Sequence, residues 1–182
     1  MRNISFILFF FGSFLGIAQE NEEKLYWSET TLTWKDFKGK PDPTNPYQAN
    51  TYSGFSFSWS LQNDADGRKF VYEIKSYFLP NQSWVKDGKE TDYLLNHEQL
   101  HFDISDYYAR KFNQELIDFD DSGSLKQVQQ RLQKIYQKIE NDRQTMQQKY
   151  DKETDHSKNK EAQQKWNEKV KDLLSQLPKL KN

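Results

Sequence analysis

The chain reads as an α+β protein: a small antiparallel β-sheet packed against about three α-helices. Two patterns predict this. Phe55, Phe57, Trp59 and Leu61 alternate with Ser56, Ser58 and Ser60, and after a turn signal at 63–67, Phe70, Tyr72, Ile74 and Phe78 fall on one set of alternating positions. That is an antiparallel hairpin with one buried face. Downstream, three stretches switch to three- and four-residue spacing, the period of an amphipathic helix.

The first helix runs through Leu94, His97, His101, Ile104, Tyr108 and Phe112, with Thr91 and Asp92 as cap and first turn. The second starts at a Ser124–Gln127 capping box and continues along Leu125, Val128, Leu132, Ile135, Ile139 and Met146. The segment Tyr150–Ser157 is expected to interrupt it. A last helix carries Ala162, Trp166, Val170, Leu173 and Leu177. Ahead of the hairpin, Leu25–Trp27 and Leu32–Phe37 suggest a short strand, and the Pro41–Pro46 stretch a loop. The loop before the first helix places Trp84 where it could overhang a site on that helix.

Residues 1–18 have the makings of a secretory signal peptide: Arg2, a phenylalanine-rich apolar run from Ile4 to Leu15, and the small-x-small Gly16-Ile17-Ala18. The expectation is one domain over residues 19–182, secreted or periplasmic, with no membrane attachment after cleavage. With no Cys, disulfides, thiolate metal sites and a lipoprotein anchor are excluded. Removing residues 1–18 deletes one Arg and no acid, so the net charge moves from −1 to −2. That near-neutral balance argues against nucleic acid as a partner. Mean hydropathy is −1.06, yet 15% aromatic residues allow large side chains to build the core.

The chemistry concentrates in His97-Glu98-Gln99-Leu100-His101, an H-E-x-x-H spacing. Residues four apart share a helix face, so both imidazoles can grip one ion, and Glu98 stands beside it as a general base for a metal-bound water. A catalytic Zn2+ needs a third protein ligand. The remaining histidine, His156, is the favoured donor, with Asp151, Glu153 and Asp155 as local competitors. Tyr107, Tyr108 and Tyr150 are unranked oxyanion donors. Asp103 is a candidate partner to orient a ligand histidine, although its position two residues past His101 points it to a different helix face.

Leu32–Pro41, Lys89–Ile104 and Tyr150–Ser157 together resemble a bacterial family of predicted secreted zinc-dependent proteases, catalogued as a domain of unknown function, with the first helix as a zincin-like active-site helix. The resemblance covers nearly all of the chain after residue 18. It implies His97 and His101 as metal ligands, Glu98 as catalytic acid, and a secreted or periplasmic bacterial protein. One departure is Leu100, where the family pattern commonly has Gly. The expected function is a zinc peptidase acting on a peptide or protein. A non-enzymatic extracytoplasmic module with a structural metal, and a zinc amidase of cell-wall peptides, are the alternatives.

Overall fold

The computed structural model describes residues 22–27, 31–64 and 67–180. The signal peptide read over residues 1–18 lies outside them. Strands β3 (Ser53–Asp64) and β4 (Gly67–Phe78) form the expected hairpin, in register from Ser53 opposite Phe78 to Asp64 opposite Gly67. A short β1 (Leu25–Tyr26) joins the other edge of β4, giving the order β1-β4-β3. Two further short strands, β2 (Ala49–Asn50) and β5 (Trp84–Val85), pair with each other. Trp84 is spent there. It is buried opposite Asn50 and does not overhang the site.

Three helices follow: α1 (Asp92–Ile117), α2 (Leu125–Thr154) and α3 (Lys160–Ser175). Among the described residues, no helix is long and apolar enough to cross a membrane. Helix α1 is central and packs on β3, β4, α2 and α3. The strand alternation decides which face it meets: Phe55 and Ile74 point inward onto Ile104, Phe112 and Leu116, and α2 adds Val128, Leu132 and Ile139 to the same core. The outward Ser56 and Ser58 are exposed. Leu100 lies in this core as a buried packing residue.

A polar pin sets the depth of α1 against the sheet. Ser76 Oγ donates to Asp106 Oδ1 at 2.5 Å, and Arg110 Nη2 lies 2.7 Å from Asp106 Oδ2. Arg110 Nη1 then donates to the carbonyls of Leu174 and Leu177 at the end of α3. Buried charges are tolerated when paired and hydrogen-bonded in this way, and this pair ties sheet, α1 and α3 together.

Helix α2 corrects one expectation. It does not break at Tyr150 but continues to Thr154, and the corner falls at Asp155, His156 and Ser157, with φ of 46°, 48° and 73°. Tyr150 and Thr154 are fully buried. The apolar stripe ends where the helix turns from the core to polar partners on α1, so its periodicity fades while the helix persists.

Candidate metal centre

The site begins with how α1 starts. Thr91 Oγ1 accepts from the Leu94 amide at 3.2 Å, capping the helix. His97 and His101 then stack one turn apart on the side facing α2, with ring centroids 5.0 Å apart and planes nearly perpendicular. His97 and Glu98 are each only 3% exposed.

Each imidazole is held from behind. His97 Nδ1 lies 2.8 Å from Gln163 Oε1 and 2.7 Å from the Tyr150 hydroxyl. His101 Nδ1 lies 2.5 Å from Gln147 Oε1. The amides are oriented in turn, because Gln163 Nε2 donates to Asn167 Oδ1 and Gln147 Nε2 to the His101 carbonyl, both at 2.8 Å. An amide oxygen only accepts, so Nδ1 carries a proton in both rings and Nε2 is the atom left to bind an ion from the cleft.

Those Nε2 atoms converge on one carboxylate. Asp151 Oδ1 is 3.4 Å from His97 Nε2 and 3.1 Å from His101 Nε2. Together His97, His101 and Asp151 place three possible ligand atoms within 4.8 Å of one another. Two imidazoles and a carboxylate are a three-donor set that leaves a position open on a tetrahedral ion. His156 is outside this group. Its Nδ1 sits 3.6 Å from Asp151 Oδ1, and its ring stacks on Tyr47 at 4.1 Å. The carboxylate that joins the pair thus comes from the last turns of α2, one helical turn before the corner that carries His156.

Glu98 completes the fit. Its Oε2 is buried and has no hydrogen-bond partner among the described residues. A carboxylate oxygen in that position costs free energy unless a ligand or solvent group meets it. It lines the same cleft of about 220 Å³ as the three donors, together with Tyr47 and the Ala49–Thr51 strand edge. Thr51 Oγ1 donates to the Glu98 carbonyl at 3.2 Å, tying that edge to α1.

The electrostatics show what the group does without an ion. Burial pulls the His101 imidazole down, but the hydrogen bond and charge of Asp151, helped by Glu98 and Gln147, outweigh it and raise its pKa to about 8. Burial likewise pushes the Asp151 carboxyl up, and His101 and His97 overcome this to hold it well below the usual range. A histidine raised above its unfolded value stabilises the fold below about pH 6.5 and loses that contribution as pH rises through about 8. Chelator-treated protein is therefore expected to lose up to about 2 kcal/mol between pH 6 and 9 in urea titrations. Saturating zinc reverses the trend, because protons compete with the ion for the imidazoles.

Of the other residues singled out from sequence, Asp103 accepts from Trp27 Nε1 at 2.9 Å and Gln99 Nε2 at 2.8 Å, and makes no contact with the donor group. Tyr108 is buried in the core and the partly buried Tyr107 packs against it. The Tyr150 hydroxyl is engaged behind His97 and does not line the cleft. Gln147 and Gln163 were not anticipated. Gln163 had a signal: it shares a helix face with Trp166 and Val170, where an amide is out of place unless it has a buried partner.

Fold and site define an α+β protein with a His-His-Asp group able to hold a metal ion. The chain belongs to the family described as "Bacterial protein of unknown function (DUF922)", which matches residues 29–158. That span holds His97, Glu98, His101, Asp151 and His156, and ends before α3, the source of Gln163. No curated protein and no solved structure matches the chain.

Proposed function

We propose that the protein is a secreted or periplasmic zinc-dependent peptidase, with His97, His101 and Asp151 holding the ion and Glu98 acting as general base. The observation that carries this reading is the buried, unpartnered Glu98 Oε2 in the same cleft as the three donors. A purely structural ion would leave that carboxylate oxygen without a purpose.

A divalent cation bound there supplies Lewis acidity toward a carbonyl oxygen and acidifies water. Glu98 takes a proton from the attacking water as the oxygen–carbon bond forms. It returns that proton to the departing nitrogen as the carbon–nitrogen bond breaks, leaving a free carboxyl and an amine. Gln147, Gln163 and Tyr150 hold the imidazole rings in place throughout. The cleft runs beside the Ala49–Thr51 strand edge, which suits an extended peptide laid along it.

The test is a peptide-hydrolysis assay with metal analysis. The expected result is one zinc per chain, hydrolysis abolished by a chelator, and recovery on adding zinc back. Stoichiometric zinc with no hydrolysis across a broad peptide pool favours a structural module, and cleavage of cell-wall peptides alone favours an amidase.

A further inference from the structure

We infer that His156 is a substrate-contacting residue of this cleft, acting beside the metal group and not as one of its ligands; this rests on the peptidase reading above. The turn that carries it is the first observation. Asp155, His156 and Ser157 all adopt left-handed backbone conformations, which side-chain-bearing residues avoid and glycine accepts readily. The corner uses the first of them, because Asp155 is the left-handed C-cap that ends α2. It is closed by backbone bonds from His156 N to the Asp151 carbonyl at 2.9 Å and from Asn159 N to the Thr154 carbonyl at 2.8 Å, with Asn159 capping α3. The same turn delivers the His156 side chain to the wall of the cleft.

The second observation is where the imidazole arrives. It enters the cleft from the α2–α3 corner and stacks at 4.1 Å, with 30° between planes, on Tyr47 from the opposite wall. Tyr47 therefore sets its orientation, as a ligand bond would otherwise do. Nδ1 is 3.6 Å from Asp151 Oδ1, beyond hydrogen-bond reach, and the side chain is 34% exposed. His97 is buried and His101 is 13% exposed, and both are backed by amides and aimed at one point. His156 has the opposite character: it is open to an incoming molecule. A ring N–H placed there can donate to a peptide carbonyl oxygen and to the negative charge that grows on it during attack.

The test uses the zinc-loaded, full-length protein with His156→Ala and His156→Gly. Zinc affinity is read by chelator competition, thermal unfolding by calorimetry, turnover on a fluorescence-quenched peptide pool, and binding of a phosphinic peptide that mimics the tetrahedral state. The expected result is zinc affinity within about threefold of wild type, kcat down 100-fold or more, and phosphinic-peptide binding weakened in parallel. His156→Gly is expected to unfold no lower than wild type, because it relieves the strained turn. A fall in zinc affinity of 30-fold or more makes His156 a ligand and overturns the inference. Unchanged kcat and inhibitor binding overturn it as well. If wild type neither hydrolyses peptides nor binds the phosphinic peptide, the peptidase reading fails first and this one with it.

Discussion

Glu98→Gln is expected to keep its zinc and to lose peptide hydrolysis by about 100- to 10,000-fold, the range that a positioned proton-transfer group supplies. The substitution is nearly isosteric, so the buried pocket beside His97 stays filled. What disappears is the capacity to take up a proton. Two effects are therefore predicted to separate: metal content, measured by atomic emission, unchanged, and kcat nearly abolished. Folding stability is expected to be unchanged or higher, because Oε2 sits buried with no partner among the described residues and a neutral amide is cheaper to bury than a carboxylate. A stability gain at the expense of activity is the signature of a functional group held in an unfavourable place. A variant that retains full turnover would remove Glu98 from the chemistry.

Asp151→Ala is expected to have the largest effect on metal binding. It removes the oxygen on which both Nε2 atoms converge, at 3.4 Å and 3.1 Å, and leaves two imidazoles on one helix face. Zinc affinity should fall by more than the roughly 10- to 100-fold that follows loss of an outer partner. Gln163→Ala supplies that benchmark, since it leaves all three donors in place and removes one of the two groups that hold the His97 ring, the Tyr150 hydroxyl remaining. Competition titrations should therefore rank the variants with Asp151→Ala weakest, Gln163→Ala intermediate and wild type tightest. If Gln163→Ala matches Asp151→Ala, the carboxylate is not a ligand and the amide network alone shapes the site.

Much of this architecture was legible in the sequence because its signals are local. The alternation of Phe55 to Leu61, the Ser124–Gln127 box and the His97–His101 spacing each depend on residues within a few positions of one another, and all three stand in the structure. The third donor was harder. Reading α2 as ending at Tyr150 placed Asp151 in a loop, level with Glu153 and Asp155, whereas the helix aims it at α1 and leaves the other two acids out of the donor group. The reason is that Tyr150, Asp151 and Thr154 face polar partners on α1 and within their own last turn, so the apolar period that marks a helix in sequence stops before the helix does. Gln147 and Gln163 were hidden for a related reason. In a chain so rich in glutamine, only their bonds to His101 and His97 distinguish them from solvated neighbours.

The most direct test of the central claim is diffraction from zinc-grown crystals, with anomalous data on either side of the zinc absorption edge. A single strong peak per chain is expected, bonded to Nε2 of His97, Nε2 of His101 and a carboxylate oxygen of Asp151, with the Glu98 carboxylate facing its open side. A peak elsewhere on the chain, or none between these three residues at saturating zinc, would contradict it.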